Sequence, residues 1–329
     1  MTQYWKDMPD IERFLDRVEA LILSTFDRSA FPMADDMRAM VESGGKMLRP
    51  ALVFVGGKFG LANKKRKNAK DEDRLVHIAA AIEMLHTATL IHDDIIDRAS
   101  HRRGIPTIHE KAGPTSAILA GDWLFSQCYR IIATYLKPDR AVLLAEFVSA
   151  ICKAEIQQDL EKYRFNPSRR RYLQTIAGKT AALFSLALHI GASETGCSPA
   201  VTQRLRRTGY NLGMAFQIID DILDYESSLE TLKKPVGNDI REGLCTLPLI
   251  FALEEKPEEL RALLAHVQNR KAPVDQIVEM VRSTAALPRA REEAGRYTRL
   301  AQKEIAGLPE GEARQSITKI VESLLVRDY

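Results

Sequence analysis

The stretch Glu83-Met84-Leu85-His86-Thr87-Ala88-Thr89-Leu90-Ile91-His92-Asp93-Asp94-Ile95-Ile96-Asp97 decides the fold. Met84, Leu85, Leu90 and Ile91 give an apolar helix, and on a helix Asp93 and Asp97 stand one turn apart on one face. Like charges at that spacing repel, so something must offset them. A second copy, Asp220-Asp221-Ile222-Leu223-Asp224, follows Phe216, Ile218 and Ile219 and repeats the spacing. One such triad alone reads equally well as the wet edge of an amphipathic helix. Two copies inside apolar helices favour a cation site, because carboxylates drawn into apolar surroundings must be paired or coordinate cations. Hard oxygens left open for water and phosphate suit Mg2+ better than zinc.

Outward from these motifs the pattern stays helical. Ile11, Phe14, Leu15, Val18 and Ile22 follow a 3-4-3-4 spacing after an N-cap at Asp10. Helical segments are predicted at 35–43, 50–60, 73–98, 115–137, 139–163, 168–191 and 199–226, with shorter ones from 247 onward. Pro50, Pro199 and Pro248 stand where a first helical turn tolerates proline. No run alternates strictly between apolar and polar residues, so the expectation is an all-α chain forming a single domain over residues 1–329. Three connections look irregular: 61–72, 99–114 and 227–247. The last two each follow an aspartate-rich helix end.

Hydrophobic residues make up 45% and charged residues 28% of the 329, which excludes a disordered or collagen-like chain. A net charge of +3 gives no global pull toward nucleic acid. Lys64, Lys65, Arg66 and Lys67 lack interleaved aromatics and read as a solvated loop, and Arg169–Arg171 as a solvated helix start. Cys128, Cys152, Cys197 and Cys245 form no metal-type spacing, and scattered thiols suit a reducing compartment. The N-terminus lacks the features of a signal peptide, and no apolar run reaches ~18 residues. A cytoplasmic protein without integral membrane association is expected.

Basic residues complement the acidic motifs. Lys46 and Arg49 follow Gly44-Gly45, Arg102 and Arg103 follow the first triad, and Lys179-Thr180 follow Gly178. Guanidinium groups grip phosphate oxygens bidentately, and lysine supplies a point charge. Singly each cluster reads as surface decoration, but together they suit diphosphate binding. Gly178-Lys179-Thr180 is not a P-loop, since its leading glycine would fall on Leu173.

These residues resemble the trans (all-E) isoprenyl diphosphate synthases, particularly the long-chain polyprenyl (hepta-/octaprenyl) branch. The resemblance rests on GGKMLRP at 44–50, EMLHTATLIHDDIID at 83–97, RRG at 102–104, GKTAALF at 178–184, GMAFQIIDDILDY at 213–225 and KKPVGNDIREG at 233–243. It implies an isoprenoid-synthase-type helical bundle around a large central cavity. The implied activity is head-to-tail condensation of isopentenyl diphosphate onto an allylic diphosphate, farnesyl or geranylgeranyl. Asp93, Asp97 and Asp220 are then the direct Mg2+ ligands, about three ions per active site, in keeping with hard oxygen donors. Asp94, Asp221 and Asp224 complete the acidic walls. Lys46, Arg49, His86 and Arg103 would hold isopentenyl diphosphate. Arg102, Lys179, Thr180, Gln217 and Lys234 would contact the allylic diphosphate or its developing cation. A homodimer is implied, or a small heteromeric subunit beside the catalytic one, with no nucleic acid partner.

Product length is set in this family below the first triad. Thr89 and Ala88 lie about 5.4 Å and Leu85 about 11 Å along the helix from Asp93. None is bulky, so a long product is expected, about six to ten isoprene units. The alternatives are a short-chain, fifteen- to twenty-carbon synthase and the catalytic subunit of a heterodimeric heptaprenyl synthase. Two departures stand out: Ala154 where many relatives have glycine, and Leu244-Cys245 where a lysine is common.

Overall fold

The computed structural model describes residues 3–29, 32–62, 69–166, 168–226, 236–267 and 273–325. The chain is all-α among the described residues apart from one short hairpin. In order come α1 (Pro9–Ser29), α2 (Ala34–Glu42), α3 (Leu48–Leu61) and α4 (Ala69–Ile96). The hairpin β1 (His101–Arg102) and β2 (Ile105–Pro106) leads into α5 (Ile108–Tyr135) and α6 (Pro138–Glu161). Next are α7 (Arg169–Ile176), a π-helical turn (Ala177–Ala181), α8 (Ala182–Glu194) and α9 (Pro199–Glu226). The rest is α10 (Asn238–Arg241), α11 (Leu247–Glu255), α12 (Pro257–Leu264), α13 (Val274–Arg282), α14 (Ala286–Ala306) and α15 (Glu312–Leu325).

Contacts group the chain into two units, each discontinuous in sequence. The first comprises Met1–Leu144, Ala187–Gln203 and Pro309–Ser316. Its core is α4, whose Ala79, Ala80, Ala81 and Ile82 are all buried. A helix enclosed on every side needs no polar face, which is why α4 reads as apolar rather than striped. It packs chiefly on α5 and on α3 and α1. Lys58 on α3 ties α1 to α15 through ion pairs with Asp10 and Glu312.

The second unit comprises Ala145–Leu186, Arg204–Leu308 and Ile317–Tyr329. Its core gathers Met214, Ile218, Ile222 and Tyr225 of α9 with Leu249 and Phe251 of α11, Ile277 and Val281 of α13, and Ala290 of α14. Each acidic motif therefore ends a long helix rooted in the core of its own unit.

The helix boundaries follow the sequence expectation closely, but α1 already starts at Pro9, so Asp10 lies in its first turn rather than capping it, and α10 falls within the connection expected over 227–247. The connection at 99–114 contains a hairpin and the first turn of α5, which breaks at Gly113 (φ 83°) before Pro114 restarts it. The helix expected over 168–191 is three pieces, interrupted by the π turn at 177–181. Two helical runs, Ala69–Ile96 and Arg169–Glu194, have the length and apolarity to cross a membrane. Of those apolar windows, 67% and 78% are buried inside the protein.

Candidate active site

At the end of α4 the three aspartates are not equivalent. Asp94 is 4% exposed, and its Oδ1 accepts from Arg102 Nε at 2.8 Å and lies 2.7 Å from a terminal guanidinium nitrogen. The hairpin makes this possible: Arg103 and Gly104 form its two-residue turn, both with positive φ (52° and 83°), as a type I′ hairpin requires. Asp93 and Asp97 are half-buried and one turn apart, with Asp97 N–H donating to the Asp93 carbonyl at 2.8 Å. His92 turns away to α5, 3.2 Å from the Ile118 carbonyl and against Phe125.

A basic cluster forms in the same unit. Arg103 lies over Gly45, where a Cβ would stand 2.9 Å from a guanidinium nitrogen and the arginine would have to shift. Arg49 Nε and Glu83 Oε2 are sealed from solvent. Burial pushes the Arg49 guanidinium down to about 10, against the pull of Glu83 and with the help of Arg103. Burial also lowers Arg103, opposed by Glu83, and raises Glu83, opposed by both arginines. His86 is held well below its ordinary value by burial and then by the charges of Arg49, Arg103 and Arg102, so it is neutral near pH 7. Arg49 and Arg103 thus face Glu83, a residue given no role from the sequence, while these two arginines and Arg102 act together on His86. The signal for Glu83 was present: Glu83 and His86 are three residues apart, hence neighbours on one helix face. Lys46 lies over the Tyr4 ring, Nζ 4.7 Å from the centroid, and its carbonyl accepts from Trp5 Nε1 at 2.7 Å. Below the triad, Ala88 and Leu85 are 0% and 1% exposed, and half-buried Thr89 bonds the His86 carbonyl at 2.8 Å.

In the second unit the π turn separates neighbours in sequence. Gly178 packs on Ala154, the departure noted in the sequence, and Lys179 Nζ reaches α6, 3.0 Å from both Glu155 Oε2 and Gln158 Oε1. Thr180, next along, goes instead to α9 and donates to Gln217 Oε1 at 2.6 Å. Gln217 Nε2 donates to Asp221 Oδ1 at 2.8 Å, and the Tyr172 hydroxyl donates to Asp221 Oδ2 at 2.6 Å.

The second triad is divided like the first. Asp220 is exposed, whereas Asp221 is 6% exposed. Burial raises Asp221, the Tyr172 and Gln217 bonds pull it back, and the charges of Asp220 and Asp224 raise it further. Asp224 accepts from the backbone N–H groups of Asn238 and Asp239, each at 3.1 Å, and so anchors the start of α10. Asp239, unremarked in the sequence, is raised well above the carboxylate range by burial and by Asp221 and Asp224. Lys234 and Lys64–Lys67 lie outside the described residues.

No group of three or more His, Cys, Asp or Glu side chains converges as a closed metal site among the described residues. The chemistry of the donors nonetheless fits Mg2+. They are hard carboxylate oxygens, crowded with like charge, and such ions keep several waters and substrate phosphates as ligands.

A profile of the polyprenyl synthetase family matches residues 33–284. Heptaprenyl diphosphate synthase component 2 of Geobacillus stearothermophilus is 35% identical over 300 residues, 91% of each chain. The all-trans-nonaprenyl-diphosphate synthase (geranyl-diphosphate specific) of Rhodobacter capsulatus is 34% identical over 293 residues, 88% of this chain and 87% of that one. The crystal structure of geranylgeranyl pyrophosphate synthase from Lactobacillus brevis superposes with a TM-score of 0.90 at 33% identity, covering 99% of both chains. With two DDxxD motifs, a basic cluster and this breadth of similarity, the chain belongs to the polyprenyl synthetase family, whose members are prenyltransferases making polyprenyl diphosphates.

Proposed function

We propose that the chain condenses isopentenyl diphosphate head-to-tail onto an allylic diphosphate, farnesyl or geranylgeranyl, releasing diphosphate and building a long all-trans polyprenyl chain. The carrying observation is the division of labour inside both acidic motifs. One aspartate in each is buried and bonded (Asp94 to Arg102, Asp221 to Tyr172 and Gln217), while Asp93, Asp97 and Asp220 keep solvent-accessible surface. Asp93, Asp97 and Asp220 are the Mg2+ ligands in this reading, with Asp94, Asp221 and Asp224 holding the surrounding framework. Bound Mg2+ supplies charge neutralisation for the departing diphosphate.

The chain's own residues do the remainder. Lys46, Arg49, His86 and Arg103 hold the isopentenyl diphosphate, neutral His86 donating one hydrogen bond while the guanidiniums supply charge. Arg102, Lys179 and Lys234 take the allylic diphosphate. Thr180 and Gln217 turn oxygen dipoles toward the positive charge that develops when the allylic carbon–oxygen bond breaks. Apolar neighbours such as Met84 and Phe216 exclude the water that would quench it. Leu85, Ala88 and Thr89 act as the ruler for product length.

A homodimer suits the exposed apolar side chains Ile118, Leu119 and Tyr129 on α5, and Val142, Ile156 and Leu160 on α6. The name of the Geobacillus relative, component 2, favours a second reading in which this chain is the catalytic subunit beside a smaller partner. Free thiols at Cys128, Cys152, Cys197 and Cys245 suit the reducing cytoplasm.

The test is a product assay on the purified chain with farnesyl diphosphate, labelled isopentenyl diphosphate and Mg2+. Long all-trans products, lost with EDTA and in Asp93→Ala, support the reading. A product that stops at the first addition, at twenty carbons, makes it a short-chain enzyme, and activity only with an added subunit supports the heteromeric reading.

A further inference from the structure

The hydrogen-bonded series Thr180–Gln217–Asp221 ends on a residue outside every motif. Tyr172, on α7, is 8% exposed and packs with the core that contains Ile176, Ala181, Ile218 and Ile222. A phenylalanine would fill the same space with no polar atom to satisfy. The hydroxyl instead donates to Asp221 Oδ2 at 2.6 Å, opposite the Gln217 bond to Oδ1.

Those two bonds fix a direction. Gln217 turns its NH2 toward Asp221 Oδ1 and its carbonyl toward Thr180. Thr180 then spends its single hydroxyl proton on Gln217 Oε1, 2.6 Å away. What remains on Thr180 for the active site is a pair of oxygen lone pairs. Toward a carbon gaining positive charge, lone pairs stabilise and an O–H proton does not. Without the tyrosine hydroxyl, Asp221 is held on one side only, and the carboxylate torsion of aspartate is broad and readily turned. The Gln217 amide then loses its fixed sense, and with it Thr180.

We propose that Tyr172 is a positioning residue for prenyl transfer: by holding Asp221 Oδ2 it sets the sense of the Gln217 amide and keeps the Thr180 hydroxyl proton turned away from the reacting allylic carbon. This rests on the prenyltransferase reading above.

The experiment compares wild type, Tyr172→Phe, Thr180→Val and the double variant in steady-state prenyl transfer, with thermal unfolding of each in EDTA. Tyr172→Phe is expected to lower kcat by about tenfold to a hundredfold, the scale of a small misplacement. KM for both diphosphates should stay within about threefold, since ground-state binding is untouched. The double variant should be no slower than Thr180→Val alone, because the effect of Tyr172 passes through Thr180. A merely structural tyrosine would lower the unfolding midpoint and multiply its loss onto that of Thr180→Val; that result overturns the proposal, as does an unchanged kcat. Should Tyr172→Phe fail to fold, 3-fluorotyrosine placed at position 172 keeps the ring and acidifies the hydroxyl. It must shift kcat without shifting KM, and an unmoved kcat overturns the proposal. A wild-type chain with no prenyl transfer removes the reading beneath the proposal; an active wild type matched by Tyr172→Phe removes the proposal alone.

Discussion

Gly178 lies so close to Ala154 that a Cβ built on it would fall 2.6 Å from the Ala154 Cβ and 3.0 Å from the Ala150 carbonyl oxygen. This contact lets the π turn lie against α6, so that Lys179 reaches Glu155 while Thr180 reaches Gln217. Gly178→Ala is expected to cost about 1–3 kcal/mol through overpacking. Its rate should fall roughly tenfold or more, because both Lys179 and Thr180 shift with the turn. Ala154→Gly in the same chain relieves the nearer clash and should restore most of the unfolding midpoint. Thermal unfolding and steady-state rates of the single and double variants check this; an undiminished single variant refutes the tight contact.

The two kinds of aspartate in the first motif should separate when stability and activity are measured together. Asp94→Ala strips Arg102 of its buried partner, a loss of about 1–3 kcal/mol in addition to lost activity. Asp93 is half-buried where Asp94 is buried, so Asp93→Ala should cost the metal-free protein less than Asp94→Ala does. The activity of Asp93→Ala should nonetheless collapse. Denaturant unfolding in EDTA, beside product assays with Mg2+, distinguishes the two. Equal stability losses in both variants would refute the division.

That division was not legible in the sequence. Both motifs present three aspartates at identical spacing, and periodicity says only that Asp93 and Asp97 share a face. What sets Asp94 and Asp221 apart is burial against Arg102 and Tyr172, eight and 49 positions away in the chain. The helices themselves were legible because each carries a stripe or an apolar run between proline and glycine breaks. The π turn was not, because one extra residue in a turn leaves the apolar spacing of the flanking helices nearly unchanged. The basic residues read from GGKMLRP and RRG do gather as Arg49, His86 and Arg103, but the carboxylate facing the two arginines, Glu83, shows its role only when the helices are packed.

Product length offers a third test. Ala88 is fully buried one turn from Asp93, and it adds a single methyl to that face of α4. Ala88→Phe puts a ring where that methyl stands and should stop elongation early, giving shorter products from the same primer. Overpacking there costs about 1–3 kcal/mol, so the assay belongs at a temperature where the variant is shown to be folded. Chromatography of the dephosphorylated products gives the answer. A product ladder identical to wild type would remove Ala88 from the ruler.

The neutral state of His86 predicts the acid side of the stability curve. Burial, and then the positive charges of Arg49, Arg103 and Arg102, hold its folded pKa well below the ordinary 6.5. In the unfolded chain the imidazole takes a proton near 6.5, whereas in the folded chain it resists until the pH is much lower. Between those two values the unfolded state binds more protons, so stability rises with pH across that window. The contribution is complete above about pH 6.5 and is eroded as the pH falls toward the folded pKa. Glu83, which faces Arg49 and Arg103, is shifted up rather than down and so pulls in the opposite sense from its unfolded value of 4.5 upward. The difference between wild type and His86→Gln therefore isolates the imidazole. Urea unfolding at several values between about pH 5 and 8 should give wild type a more positive slope than His86→Gln below about pH 6.5. A parallel pair of curves would mean that His86 is not shielded from protonation in the folded protein.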